Sequence, residues 1–212
     1  MAVALYGPTY STYARAARLA LEEKGVDYEL REVDLLKGEG RQPEHMRRHP
    51  YGKAPVLEHD GFSLYETVAI NRYIDEAFPG PGLQPEDVRE RARMMQLVAV
   101  LDHYVYDALV MKLLWQTMFT PLMGGTPDRQ AVEEALPATE RCLDVVEGLC
   151  GPGDFLVGDA LSLADCHLVP MFDYFVQTDE GRAALEKHAR LARWWRHVGG
   201  RPSVAKTRPR AG

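Results

Sequence analysis

The hydrophobic pattern of the chain changes near residue 80, and this change constrains the fold more than any other feature. Before that point, short apolar runs alternate with helical patterns; after it, apolar residues recur only at helical spacing. Proline and glycine concentrate at 78–87 (FPGPGLQPED), as is typical of a linker. We therefore predict an α/β domain at 1–79, a linker at 80–85 and an all-α domain at 86–212.

The first part begins with a strand, a helix and a second strand. VALY (3–6) predicts a short buried strand, and the good helix formers of 12–24 predict a helix that Gly25 ends. Residues 26–30 alternate as in a second strand. Two strands joined through a helix pair in parallel by a right-handed crossover.

A polar stretch at 36–53 predicts a loop with one helical turn after Pro43. PVLEH and FSLYE then flank Asp60-Gly61, which is the strongest short hairpin signal, and a helical pattern follows at 70–78. The resulting order predicts a thioredoxin-like arrangement, in which the hairpin adds antiparallel strands to the parallel pair.

The second part reads as helix throughout. Ser162 and Asp165 have the spacing of a capping box, and LARWWRHV (191–198) predicts the closing helix. An apolar stripe at helical spacing predicts the buried face of a long helix: Met94, Leu97, Val98, Leu101, Val105, Ala108 and Leu109.

Composition excludes several classes of function. The 212 residues carry a net charge of −6, which argues against a nucleic-acid partner. No apolar run is long enough for a membrane span, and the N-terminus lacks a signal-peptide pattern, so we expect a cytoplasmic protein. The basic tail KTRPR (206–210) reads as a frayed, solvated terminus.

The turn LYGPTYSTY (5–13) places six hydroxyl side chains between the first strand and the first helix. Thioredoxin-like domains usually present a thiolate at this helix N-terminus, yet all three cysteines lie beyond residue 141. A reactive sulfur at this turn must therefore arrive with the substrate, and a hydroxyl would donate to it. Lowering a thiol pKa by about two units requires ~2.7 kcal/mol. One hydrogen bond to a charged group supplies about 1.5–3 kcal/mol.

Seven motifs in order resemble those of the cytosolic glutathione S-transferases, most of all the serine-type phi class and its bacterial relatives. They are LYGPTYS, LEEKGVDYE, VDLLKGE, PEHMRRHPYGKAPVL, LYETVAINRYI, FLVGDALSLADC and RPSVAK. The resemblance implies a thioredoxin-like glutathione-binding domain and a helical domain that contributes the acceptor site. It also implies glutathione as co-substrate, a cytoplasmic homodimer, a role in detoxification, and no metal.

Carried over by position, Ser11 falls on the catalytic serine that holds the thiolate. Its alternative role is that of a helix N-cap. Tyr6 occupies the place of the catalytic tyrosine of other classes, and we expect it to pack instead. Tyr10 and Thr12 are alternatives to Ser11 if the turn presents another hydroxyl.

Four further positions match the glutathione-binding pattern. Pro55 matches the cis-proline that lets the backbone of Ala54 pair with the cysteinyl part of glutathione. Glu66 and Thr67 match the pair that binds the γ-glutamyl end, with its carboxylate at a helix N-terminus.

The chain departs from the phi pattern at the glycyl end of glutathione. The basic pair of that class becomes Gly40-Arg41, and its glutamine becomes Lys53, so this end stays cationic with altered contacts. The arginine expected five residues after the serine is replaced by Ala16. Asp102 resembles the acidic residue that some classes extend across the dimer to the glutathione ammonium.

Other residues have weaker assignments. The pair His45 and His49 has the spacing of metal ligands on a helix, but the following Pro50 argues against a metal site. We expect the acceptor site to use aromatic, methionine and hydroxyl side chains: Tyr10, Thr12, Tyr106, Met111, Trp115, Met118 and Phe119.

The leading hypothesis is a glutathione transferase that directs a thiolate at an apolar electrophile, with peroxide or disulfide reduction as further activities. The alternative is a non-catalytic binding or regulatory protein with a decayed site. An oxidoreductase that uses its own cysteines is excluded by their placement.

Overall fold

The computed structural model describes residues 2–209. Within this range the chain forms two compact units. The first runs to Leu83 and resumes at Arg201, and the second spans Gln84–Gly200. The helical domain was expected to run to the end of the sequence, but the segment from Arg201 onward groups with the first unit.

The first unit is built on a four-stranded sheet with the order β2-β1-β3-β4. Its strands are β1 Val3–Tyr6, β2 Glu29–Arg31, β3 Val56–His59 and β4 Phe62–Tyr65. Strands β1 and β2 are parallel, while β3 pairs antiparallel with both β1 and β4. The predicted thioredoxin-like arrangement is confirmed, although β2 is shorter than the alternating stretch at 26–30.

The helices of the first unit are α1 Thr12–Lys24, α2 Pro43–Arg48, α3 Thr67–Ala77 and α10 Pro202–Thr207. The polar stretch at 36–53 is more ordered than expected, because a 3₁₀ turn at Glu39–Arg41 precedes α2. Proline at the first position of α2 lacks the N–H that a helix start leaves without a partner.

Two local signals set the ends of these elements as expected. Gly25 ends α1 in the left-handed conformation at φ 68°, and its N–H donates to Glu22 O at 3.1 Å. Asp60 and Gly61 have φ values of 47° and 88°, so the turn between β3 and β4 has positive φ at both central residues.

The basic tail is not frayed at its start. Arg18 on α1 donates to the backbone carbonyls of Thr207 at 2.9 Å and Lys206 at 3.0 Å. Arg201 forms a two-pronged ion pair with Glu23, at 2.8 and 2.7 Å. These bonds to α1 explain why the last helix belongs to the first unit; Arg210 lies outside the described residues.

The second unit is helical, as predicted. Its α-helices are α4 Val88–Val100, α5 Thr120–Leu122, α6 Arg129–Leu149, α7 Leu163–Phe175, α8 Asp179–Lys187 and α9 Ala189–Val198. Between α4 and α5, the chain continues as a π-helix over Leu101–Phe119. The hydrophobic pattern did not predict this change from α- to π-helix. Every residue of the predicted apolar stripe is buried. No helix within 2–209 is long and apolar enough to cross a membrane.

The predicted capping box at the start of α7 is confirmed. The carboxylate of the fully buried Asp165 accepts from the N–H and hydroxyl of Ser162, both at 2.7 Å. It also accepts from Leu156 N at 3.0 Å and from the indole N–H of Trp194 at 2.7 Å. Four donors therefore satisfy a side chain whose pKa is raised by burial.

Candidate glutathione site

The sheet register brings three chain segments to one edge of the first unit. One row of paired residues crosses the sheet: Tyr6, Val56 and Tyr65. The chain positions just beyond this row are Gly7, Pro55 and Glu66. The turn before α1, the segment before β3 and the start of α3 therefore meet at the same edge.

Gly7 allows two of these segments to touch. A Cβ atom at this position would lie 2.9 Å from the Cβ of Ala14 and 3.3 Å from the Cβ of Ala54. The first turn of α1 consequently packs close to the segment that precedes Pro55.

Ser11 is the N-cap of α1, and its Oγ accepts from Ala14 N at 3.2 Å. Capping uses an oxygen lone pair and leaves the hydroxyl hydrogen for another acceptor. No acceptor for that hydrogen is found between residues 2 and 209, and the side chain is half-buried. The capping role and the proposed donor role are therefore compatible.

Tyr6 is not available as a donor to sulfur. Its hydroxyl donates to Glu58 Oε2 at 2.8 Å and accepts from Arg31 at 2.6 Å, and only 5% of the residue is exposed. The guanidinium of Arg48 lies 4.4 Å from the centre of its ring. Burial and the hydrogen bond to Glu58 raise the pKa of Tyr6. The predicted packing role agrees with these contacts.

The alternative hydroxyls of the turn have other surroundings. Tyr10 turns toward the loop after β2, where its hydroxyl donates to Asp34 at 3.3 Å and accepts from Leu36 N at 3.1 Å. Burial raises the pKa of Tyr10. Thr12 is buried as the first residue of α1. Ser11 differs from Tyr10 in having no acceptor for its hydroxyl hydrogen among residues 2–209, and from Thr12 in being only half-buried.

The Ala54–Pro55 peptide bond is cis, as the resemblance implied. Pro55 is buried and Ala54 is half-buried. Strand β3 begins only at Val56, and no described residue bonds the backbone N–H or C=O of Ala54. These two groups are therefore open for pairing with an extended ligand backbone.

The N-terminus of α3 has no side-chain cap. Glu66 precedes the helix with φ 72° and ψ 116°, and its side chain makes no capping hydrogen bond. A positive φ at a non-glycine residue is strained and is often found at binding sites. Thr67 is buried at the first helical position, so the free N–H groups of this end can receive an anion.

Gly40 and Gly52 bring the glycyl end of the candidate site together. A Cβ on Gly40 would lie 2.3 Å from Gly52 O, and one on Gly52 would lie 2.8 Å from Gly40 O. The adjacent residues Arg41 and Lys53 are exposed, and neither forms an ion pair within the described chain. The loss of a side chain at Gly40, noted as a departure, is thus a packing requirement.

His45 and His49 line the inner side of the same segment. His45 is 4% exposed and its Nε2 bonds Lys53 O at 2.7 Å, while the ring of His49 lies 4.8 Å from that of Tyr65. Burial lowers the pKa of His49. No group of three potential metal ligands occurs within 2–209, and sequence reasoning gave neither histidine a part in the site.

The remaining predicted residues lie in the second unit. Asp102 accepts from the buried His167 at 2.9 Å, a bond between residues 65 positions apart that the sequence did not suggest. The rings of Trp115 and Phe119 are 6.1 Å apart, and Phe119 packs edge-on against Tyr174 at 5.3 Å. Tyr106 and Met118 are half-buried, and Met111 is exposed.

The two-unit fold and the glutathione-site pattern define a class of protein, and comparisons identify it. Residues 1–76 match the glutathione S-transferase N-terminal domain, and residues 106–202 match the glutathione S-transferase C-terminal domain. Glutathione S-transferase F10 of Arabidopsis thaliana is 33% identical, over 95% of this chain and 94% of the relative. Glutathione S-transferase 1 of Zea mays is 32% identical, over 95% and 94%.

Solved structures agree over both units. Glutathione transferase F7 of Populus trichocarpa has a TM-score of 0.85 at 32% identity, covering 97% of each chain. Glutathione S-transferase I from mais, solved with an atrazine glutathione conjugate, has a TM-score of 0.85 at 31% identity over 98% and 96%. The chain therefore belongs to the glutathione S-transferase family, and its relatives make it a phi-like member.

Proposed function

We propose that this protein conjugates glutathione to apolar electrophiles, with Ser11 holding the sulfur as a thiolate. The observation that carries the proposal is the Ser11 hydroxyl, which caps α1 through its oxygen and keeps its hydrogen for a ligand. The N-terminal end of α1 adds a favourable field for a negative sulfur. The thiolate then attacks the electrophile, and the acceptor's leaving group departs or its double bond takes up a proton.

The remaining groups would orient glutathione along the sheet edge. The N–H and C=O of Ala54, set by Pro55, pair with the cysteinyl backbone. The γ-glutamyl carboxylate meets Thr67 at the start of α3, and Glu66 faces the ammonium. Arg41 and Lys53 bind the glycyl carboxylate.

We further propose a cytoplasmic homodimer with a detoxifying role, as the family resemblance implies. Asp102 is a candidate contact to the glutathione ammonium of the partner subunit, although one carboxylate oxygen already accepts from His167. The acceptor side chains proposed from the second unit are Tyr106, Met111, Trp115, Met118 and Phe119. Their methionines and aromatic rings suit varied apolar electrophiles.

The test is the ultraviolet difference spectrum of bound glutathione thiolate against pH, for wild type and Ser11→Ala. We expect the wild type to form thiolate near neutral pH and the variant to need a pH about one to two units higher. Glutathione bound without a lowered thiol pKa would favour the alternative of a non-catalytic binding protein. Equal thiol pKa values in both proteins would instead remove Ser11 from the mechanism.

A further inference from the structure

We propose that His45 is a positioning residue for glutathione, because its Nε2–H fixes the peptide plane that presents the Ala54 N–H. This inference rests on the proposed function, since it assigns a role toward the same ligand. His45 lies on α2, and within residues 2–209 its one hydrogen bond goes to the Lys53 carbonyl, through which we infer that it acts.

The hydrogen bond determines which tautomer His45 adopts. The acceptor is the backbone carbonyl of Lys53, 2.7 Å from Nε2, and a carbonyl oxygen only accepts. Nε2 therefore carries the hydrogen. In the neutral ring Nδ1 is then an acceptor, and it is buried without a hydrogen-bond partner in the part of the chain that the structure describes. Among residues 2–209, the bond to Lys53 is thus the one hydrogen bond of this buried side chain.

A purely structural role would be filled better by an apolar ring. His45 is 4% exposed, and leaving one ring nitrogen unpaired at such a depth costs free energy that a phenylalanine would avoid. Unlike phenylalanine, the imidazole supplies a hydrogen-bond donor for the Lys53 carbonyl.

The planarity of the peptide unit carries this effect to the ligand. Lys53 C=O and Ala54 N–H belong to one peptide group, and in a trans peptide they point in opposite directions. Only the following bond, Ala54–Pro55, is cis among the described residues. When His45 holds the carbonyl on the buried side, the Ala54 N–H is directed to the opposite, open side, where the cysteinyl carbonyl of glutathione is proposed to bind.

The flanking residues make such a restraint necessary. Lys53 is exposed, and Gly52 before it, at φ 63°, is a residue without a Cβ atom whose backbone is therefore little restrained by its own chemistry. Donation to the carbonyl also polarises the peptide group and strengthens its N–H as a donor.

The experiment compares glutathione binding and turnover in wild type, His45→Phe and His45→Gln. Phenylalanine keeps a ring of similar size without a donor, whereas glutamine restores an N–H near the same place. We expect His45→Phe to raise the KM for glutathione roughly tenfold, the effect of losing one well-placed hydrogen bond, with kcat changed less than about twofold. We expect His45→Gln to recover most of the affinity.

His59→Phe is the matched control. His59 lies on β3, and one ring nitrogen bonds the Tyr73 hydroxyl at 2.8 Å. The other has no hydrogen-bond partner among residues 2–209, with a carboxylate oxygen of Asp60 at 3.7 Å. His59→Phe therefore also removes a part-buried imidazole that makes one hydrogen bond, and we expect it to leave the KM for glutathione unchanged.

An unchanged KM in His45→Phe would overturn the inference, as would an equal rise in His59→Phe or no recovery in His45→Gln. A fall of kcat in His45→Phe as large as the rise in KM would also contradict it, if thermal unfolding shows that the variant is folded. Failure of the wild type itself to bind glutathione would be a distinct result, because it would contradict the proposed function.

Discussion

Tyr6 donates its phenolic hydrogen to Glu58, 2.8 Å away on the neighbouring strand β3. The hydroxyl that could have served as the activating group at the end of β1 is thereby used within the sheet. Arg31 and Arg48 lie against the same ring, so the whole arrangement stabilises the buried cluster that Tyr6 forms with Ala4, Val33 and Val56.

Tyr6→Phe is expected to change stability more than catalysis. The substitution leaves Glu58 and Arg31 without their shared hydroxyl, which should lower the free energy of unfolding by about 1–2 kcal/mol. We expect kcat/KM to stay within about threefold of wild type, whereas Ser11→Ala should lower it by about 10–100-fold. Steady-state kinetics and urea unfolding of both variants check this. A larger loss of kcat/KM in Tyr6→Phe than in Ser11→Ala would reverse the two roles.

Glu66→Gly is expected to stabilise the protein while weakening glutathione binding. The positive φ of Glu66 is strained for a side chain with a Cβ, and glycine should release about 1 kcal/mol of that strain. The loss of the carboxylate should raise the KM for glutathione several-fold.

Glu66→Gln is the control for that prediction, because it keeps the Cβ and removes the charge. We expect it to raise the KM similarly without any gain in thermal stability. A gain in stability equal to that of Glu66→Gly would show that charge and not backbone strain causes the effect.

Gly40→Ala is expected to destabilise the first unit. The new Cβ would lie 2.3 Å from Gly52 O, a backbone atom that cannot swing away. Such overpacking typically costs about 1–3 kcal/mol. Thermal unfolding measures the loss.

Gly148→Ala provides the comparison. Gly148 lies within α6, and nothing approaches its added Cβ within 4 Å, so alanine should raise stability by about 0.5–1 kcal/mol. A similar small gain in Gly40→Ala would contradict the close contact of the two glycine backbones.

Cys150 should make the protein less stable at alkaline pH. Burial raises the pKa of this thiol from 9.0 to about 12 in the folded protein. Above pH 9 the unfolded chain releases the proton while the folded chain keeps it, so stability falls as pH rises toward 12. The loss from this one group should reach about 1.4 kcal/mol by pH 10.

Urea unfolding between about pH 8 and pH 10 measures this dependence. Cys150→Ala should show a shallower fall, because the variant has no thiol to ionise. Parallel curves for the two proteins would show that Cys150 is not the group responsible.

Local signals predicted most of the sheet and its helices. Val3–Tyr6 was found at the predicted residues, and Asp60-Gly61 forms the predicted hairpin turn, because each depends on a few neighbouring side chains. Helix α2 was underestimated, since a helix of six residues depends on tertiary packing more than on its own propensity. The π-helical winding of Leu101–Phe119 has no counterpart in the spacing of apolar residues.

The candidate site was predicted unevenly for a similar reason. Ser11, Pro55 and Thr67 stand in recognisable motifs, and the structure gives each a position at one sheet edge; their roles toward glutathione stay predictions. The bond from His45 to Lys53 and that from His167 to Asp102 depend on how distant parts of the chain meet. Such pairings follow from the assembled fold and not from a local pattern.

The contact between Arg18 and Thr207 joins residues 189 positions apart, and it has a consequence for how the protein is made. Synthesis proceeds from the N-terminus, so α1 leaves the ribosome long before the helix that it binds. The sheet-bearing unit can therefore be completed only after the entire helical unit, which is inserted between its two pieces, has been translated. Closing so long a loop is slow compared with local folding. During that interval the α1 surface that Lys206 and Thr207 later cover is open to solvent, to chaperones and to proteases.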